Sequence, residues 1–273
     1  METARSRDGT YITFDRYGQG HAVILVGGAL SDRSAGAALA ALLAPHFTTF
    51  AYDRRGRGDS GNTSPYAVER EIEDVDALIH EAGGSAFLFG HSSGAVLALE
   101  TARLLPTRVT KLAMYEPPFI VDHSRPPLSE RYHAHLNDLL ASGRRGDAVE
   151  YFMTNAVGVP PEIVAQMRSS PMWPALERAA HTLPYDAAIM GDNMAGTPLP
   201  AEKWASVAMP VLVTDGGASP EWARNAVQAI VDVLPNAQRR TLEGQTHAVD
   251  PKLLAPVLEE FFDGRVIETK RTT

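Results

Sequence analysis

Two runs in this chain, Ala22–Val26 and Ala86–Phe89, are apolar at every position, and each passes within a few residues into a helical pattern. A strand with one face in water alternates polar and apolar side chains; one that is apolar throughout must be covered on both faces. Crossover helices supply that cover, so the runs demand a parallel sheet of strand–helix–strand units. The same rhythm holds up to Glu116: HAVILVGG, a small-residue helix, FTTFAYD, the helix VEREIEDVDALIHEAG, AFLFGHS, AVLALETARLL and TKLAMYE. In the second helix Val68, Ile72, Val75, Leu78 and Ile79 recur at three and four residues, which predicts one buried stripe beneath an acidic outer face.

The rhythm stops from about Pro117 to Trp204, where only helical patterns occur: LSERYHAHLNDLLASG, GDAVEYFMTNAVG, PEIVAQMRSS and WPALERAAHTL, punctuated by prolines. An all-helical stretch inside a strand–helix alternation reads as an inserted cap. The expected division is a core of residues 1–118 and 205–273 with a helical cap at 119–204. Alternation resumes with MPVLVTDGG, the helix PEWARNAVQAIVDVLP, the strand RRTLEG and the loop QTHAVDP. A last helix follows, with Leu253, Leu254, Val257, Leu258, Phe261 and Phe262 on its expected buried face. The tail IETKRTT is expected to fray, and no internal repeat is present.

Composition excludes several functions. The 273 residues carry a net charge of −8 with no long Lys/Arg run, which disfavours nucleic acid as a partner. No segment approaches the ~18 unbroken apolar residues of a membrane span. The opening METARSRDGTYITF lacks the apolar stretch of a secretory signal, so a cytoplasmic location is expected. Zero cysteines remove disulfides, thiol nucleophiles, thiolate zinc sites and iron–sulfur clusters. The oligomeric state is left open.

The junction between the strand AFLF and the helix AVLALE is five small residues, Gly90-His91-Ser92-Ser93-Gly94. As a pattern, G-x-S-x-G is short enough to arise by chance. Its context is specific. The serine of such an elbow takes a strained conformation at a strand-to-helix turn, and the helix then crowds back onto the strand, leaving room only for glycine at the flanking positions. The alternative reading is an ordinary tight turn.

With GHSSG at 90–94, the turn DRRGRGDS at 53–60, VGGAL at 26–30 and GQTH at 244–247, the chain resembles the α/β-hydrolase superfamily over nearly its whole length. The resemblance implies a mostly parallel central sheet with helices on both faces and an inserted helical cap. It implies Ser92 as nucleophile, His247 as the base in a loop after the last strand, and an oxyanion hole from the backbone N–H groups of Ala29 and Ser93. Gly28 and His91 are expected to line the substrate pocket. No cofactor or metal is implied.

The acid departs from the common pattern. Relatives place an aspartate shortly after the seventh strand, where this chain has Ser219. Two carboxylates could replace it: Glu116, at the end of TKLAMYE, and Asp215, at the end of MPVLVTD. The spacing from Ser92 to Glu116 resembles haloalkane dehalogenases and a fungal-toxin lactonase group, whose acid follows the sixth strand, and Glu116 is the expected acid. A serine at the nucleophile position argues against the dehalogenases and epoxide hydrolases themselves, which use aspartate there.

The expected activity is hydrolysis of a small carboxylic ester or lactone. Thioesterase, cofactor-free perhydrolase (haloperoxidase) and hydroxynitrile lyase outcomes remain open on the same residues, as does a non-catalytic small-ligand receptor. Other matches are discounted: Gly56–Gly61 fits a dinucleotide pattern without its helix, Arg57-Gly58-Asp59 is read as coincidence, and His133 and His135 are a poor metal pair. The tryptophans and methionines are read mainly as packing, some of them lining the cap side of the pocket.

Overall fold

The computed structural model describes residues 1–264 of the 273, so the tail expected to fray lies outside the described residues. Eight strands form one sheet: β1 Glu2–Arg5, β2 Tyr11–Tyr17, β3 His21–Val26, β4 Phe47–Tyr52, β5 Ala86–His91, β6 Val109–Tyr115, β7 Val211–Gly216 and β8 Ala237–Leu242. Their order is β1-β2-β4-β3-β5-β6-β7-β8. The strands from β3 onward pair in parallel; β1 and β2 add an antiparallel edge. That edge was not legible in the sequence, because β2 reads YITFDRY with three consecutive buried residues rather than a clean alternation.

Ten α-helices accompany the sheet among the described residues: α1 Ala37–Leu43, α2 Val68–Glu81, α3 Ser93–Leu104, α4 Tyr132–Ala141, α5 Arg145–Tyr151, α6 Pro161–Met167, α7 Trp173–Ala179, α8 Leu183–Met190, α9 Glu221–Val233 and α10 Pro251–Asp263. One sheet face carries α2, α3 and α9, with Ile72, Val75, Leu78, Val96, Leu99, Val227 and Ile230 in its apolar layer. The other carries α1 and α10, through Leu39, Leu43, Leu254, Leu258 and Phe262. Leu253, expected in that layer, is half exposed, and Ala255 takes part in its place. Both faces of β3 and β5 are thereby covered, as their unbroken apolar runs require.

The outer face of α2 differs from expectation. Glu71 and Asp74 are buried, because Arg54 and Arg55 on the loop after β4 are buried against them. Arg54 Nε and Nη2 donate to Glu71 at 2.7 and 2.8 Å, and Arg55 Nε and Nη2 to Asp74 at 2.7 Å each. Periodicity alone cannot reveal a carboxylate whose partner lies on a distant loop.

Helices α4 to α8 lie between β6 and β7 with no strand among them. They hold an apolar cluster of their own that includes Tyr132, Leu136, Val149, Val164, Trp173 and Leu183. The two ends of this helical segment pack elsewhere: Phe119, Leu199 and Trp204 join the layer under the sheet. No helix among the described residues is long and apolar enough to cross a membrane.

Candidate active site

The chain leaves β3 toward α1 on one face and leaves β5 toward α3 on the other. A crevice opens at such a switch point, outside the carboxyl ends of the strands. Three non-glycine residues with positive φ stand there, and they are the only ones among the described residues: Leu30 (58°), Ser92 (56°) and Glu116 (44°). Backbone strain of this kind costs about 1–3 kcal/mol per residue and persists only where the surroundings enforce it.

At Ser92 the enforcement is visible. Its N–H donates to Tyr115 O at 2.9 Å, which extends the β5–β6 ladder by one step, and α3 begins at the next residue. A Cβ on Gly90 would lie 2.4 Å from Ala95 Cα, and one on Gly94 would lie 2.2 Å from Val26 O. Neither contact is sterically accessible, so the turn requires glycine on both sides. The Ser92 side chain makes no cap bond to α3. Its hydroxyl is left facing a cavity of about 580 Å³.

Gly28, Ala29, His91, Ser92 and His247 all line that cavity. His247 Nδ1 and Glu116 Oε2 are hydrogen-bonded at 2.8 Å. The other oxygen of Glu116 accepts from Gly216 N at 2.8 Å and from the Ser219 hydroxyl at 2.5 Å. Burial pushes the Glu116 carboxyl up, but the bonds from His247, Ser219 and Gly216 outweigh it and hold the pKa below the usual value. No hydrogen bond joins Ser92 to His247 among the described residues; both simply face the same space.

The loop carrying His247 is pinned by its carbonyls. Tyr115 Oη donates to Thr246 O at 2.7 Å, and His91 Nε2 lies 2.9 Å from His247 O. A carbonyl can only accept, so His91 carries its proton on Nε2 and its Nδ1 is a bare acceptor. Burial first, then the neighbouring His247, lowers the His91 pKa to about 4, and the ring is neutral at physiological pH.

Asp215 is not brought to His247. It is fully buried and occupied by Arg239 Nη2 at 2.6 Å and Thr241 Oγ1 at 2.9 Å. Ser219 instead donates to Glu116, the carboxylate that meets His247. The Ala29 and Ser93 N–H groups have no intramolecular acceptor among the described residues, and Ala29 opens onto the cavity. Gly28 is close enough that a Cβ there would lie 3.1 Å from Ser92 Cβ.

The cavity wall is mostly apolar. Phe152, Met153, Val157 and Leu176 line it from the helical segment, and Leu25, Gly36, Leu39, Ala51, Phe89 and Leu254 line it from the sheet and from around α1 and α10. Its charged lining residues are Asp32 and Arg33. Arg33 is held by Asp15, Asp53 and Asp59. Among the described residues no group of three or more His, Asp or Glu is placed to hold a metal. Arg57 of the Arg-Gly-Asp tripeptide is buried.

Sequence reasoning missed Asp186. This residue of α8 is buried between Arg54 and Arg57, at 2.8 and 2.7 Å, and accepts from the Ser93 hydroxyl at 2.7 Å. Leu183, Pro184, Asp186, Ile189 and Met190 are all buried, so α8 has no polar face and shows no amphipathic period.

The sheet order, with a strained serine at its switch point, defines the class: a hydrolase built on a doubly wound sheet. The chain belongs to the alpha/beta hydrolase family, whose model matches residues 22–257. An alpha/beta hydrolase of known structure from Sphaerobacter thermophilus is 59% identical and superposes with a TM-score of 0.89, over 96% of this chain and 100% of that one. An enol-lactonase from Burkholderia xenovorans shares the fold at a TM-score of 0.72 and 17% identity, over 96% of this chain and 100% of the other. N-formylmaleamate deformylase of Pseudomonas putida is 35% identical over 107 residues, 38% of this chain and 40% of that protein's length.

Proposed function

We propose that the chain is a serine hydrolase that cleaves a carboxylic ester or lactone of a small, neutral, largely apolar molecule through an acyl-enzyme on Ser92. One observation carries the reading: a strained serine with an uncommitted hydroxyl faces the same apolar cavity as a histidine whose ring is tied to a buried glutamate. His247 takes the proton from Ser92 Oγ as that oxygen attacks the carbonyl carbon. Glu116 holds the imidazole orientation and stabilises its positive charge without itself being protonated. The N–H groups of Ala29 and Ser93 receive the developing oxyanion. His247 returns the proton to the leaving alcohol, then activates the water that releases the acid.

The wall supports a neutral substrate. An anionic amide such as the deformylase relative's N-formylmaleamate would need a cation in the pocket, and Arg33, the cation in the described lining, is neutralised by three carboxylates. The apolar wall suits an acyl chain. A fluorophosphonate probe should label Ser92, and Ser92→Ala should lose both labelling and ester turnover. Labelling that persists on another serine in Ser92→Ala would refute the assignment.

A further inference from the structure

The two N–H groups assigned above to the oxyanion are aimed by a buried ion cluster. A trans peptide carries its carbonyl and its following N–H on opposite sides. The cis peptide among the described residues is Ser64–Pro65, so the Gly28–Ala29 peptide is trans, and whatever holds the Gly28 carbonyl sets the direction of the Ala29 N–H. That carbonyl accepts from Arg57 Nη1 at 2.8 Å and from Ser31 Oγ at 2.7 Å. Arg54 Nη1 reaches the preceding carbonyl, of Gly27, at 3.3 Å.

The second N–H belongs to Ser93, whose hydroxyl donates to Asp186 Oδ1 at 2.7 Å. Asp186 also takes Arg54 Nη1 on Oδ1 at 2.8 Å and Arg57 Nη2 on Oδ2 at 2.7 Å. Arg57 Nε donates to Thr182 Oγ1 at 3.2 Å. Arg54, Arg57, Asp186 and Ser93 are all buried, so water does not compete for these bonds. One carboxylate from α8 thus joins the two separate pieces of backbone that would share the oxyanion.

We propose that Arg57 and Asp186 are positioning residues of the oxyanion pocket: Arg57 locks the Gly28–Ala29 peptide with its N–H toward the cavity, and Asp186 fixes both that guanidinium and Ser93. The inference rests on the acyl-enzyme reading of Ser92. Neither residue touches substrate. A misaimed donor is felt where negative charge develops and hardly in the ground-state complex, so its loss belongs in kcat.

The experiment compares wild type with Arg57→Lys, Arg57→Gln, Asp186→Asn and Ser93→Ala on p-nitrophenyl butyrate. An alkyl trifluoromethyl ketone, which forms a tetrahedral adduct, and the alcohol of equal length, which does not, serve as inhibitors. Complete removal of one oxyanion donor costs about 10²–10³ in kcat. The expected losses are about 10- to 100-fold in kcat for Arg57→Gln and Asp186→Asn, and smaller for Arg57→Lys and Ser93→Ala. KM should stay within about threefold, ketone affinity should fall with kcat, and alcohol affinity should hold. Wild-type kcat and ketone affinity in variants of lowered melting temperature would overturn the proposal, as would a rise in KM with kcat retained. If Arg57→Gln or Asp186→Asn does not fold, Arg57→Lys and Ser93→Ala decide by the same criteria. If wild type shows neither turnover nor labelling at Ser92, the acyl-enzyme reading has failed on its own. A crystal structure of Arg57→Lys then decides the clamp: a turned Gly28 carbonyl upholds it, and an unmoved one ends it.

Discussion

Glu116, the proposed partner of the catalytic histidine, concentrates several constraints in one side chain. It sits at positive φ, accepts three hydrogen bonds with two oxygens, and stays ionised in a buried site. Replacing a triad carboxylate by its amide leaves the shape but favours the wrong imidazole tautomer, at a cost of about 10⁴ in rate. Glu116→Gln should therefore lose about 10⁴ in kcat with its circular dichroism unchanged, whereas Asp215→Asn, remote from His247, should lose far less. Ser219→Asp should be harmful in the wild-type background, since it sets a second carboxylate against Glu116, and should partly restore Glu116→Gln. Near-normal turnover in Glu116→Gln would show that the histidine relies on another group. Glu116 was expected beforehand as the acid, with Asp215 as the alternative, from its spacing to Ser92 and the resemblance to families whose acid follows the sixth strand. The pairing of His91 with Tyr115 sets the residues that follow them, Ser92 and Glu116, side by side. The service of Ser219 was not legible, since it depends on how the turn after β7 folds toward β6.

Among the elements, the cavity wall around α1 links packing to selectivity. Gly36 precedes α1 with helical dihedrals, φ −86° and ψ −9°, which any residue can adopt. A Cβ there would meet Leu25 Cδ1 at 3.6 Å and Ala51 Cβ at 3.8 Å, ordinary contacts, and Gly36 lines the cavity, so a larger side chain would take up cavity space rather than strain the backbone. Gly36→Leu should thus shorten the preferred acyl chain. One methylene in an apolar pocket is worth about 1–3 kcal/mol, so the ratio of kcat/KM for p-nitrophenyl octanoate over acetate should drop at least about 10-fold. An unchanged ratio would place the acyl chain elsewhere, against Phe152 and Met153. Helices with one wet face, such as α2, could be read from sequence. Helix α8 could not, for none of its residues is fully exposed and its one carboxylate is explained only by arginines more than a hundred residues away in the chain.

For the molecule as a whole, the buried titratable groups set the acid limit of stability. His91 has a folded pKa of about 4 against an ordinary 6.5, so the unfolded chain binds its proton first, and stability falls as pH drops from 6.5 toward 4. Glu116 and Asp186 act further down. Burial raises both carboxyls, but their partners more than compensate, so their stabilisation is complete above the unfolded values of 4.5 and 3.8 and is lost as pH falls below them. Urea midpoints should accordingly decline from pH 7 to pH 4. His91→Gln, which keeps a donor for His247 O, should flatten only the part above pH 4. An equally steep decline in that variant would assign the upper limb to a different group. The parallel strands and the helical stretch before β7 were visible as a change of hydrophobic period; the antiparallel edge and the charges buried between the layers were not, because pairing across a fold leaves no periodic trace.

The position of Asp186 also bears on how such proteins can be recombined. Helices between two strands look like an exchangeable module, because the sheet closes without them. Here the module carries the counter-charge for Arg54 and Arg57, which belong to the part that stays behind. A chimera taking its helices from a relative without a carboxylate at that place would inherit buried guanidinium charge with only part of its compensation, a defect worth about 3–5 kcal/mol when a buried pair is broken. The unit of exchange is therefore larger than the helical segment and includes the loop after β4.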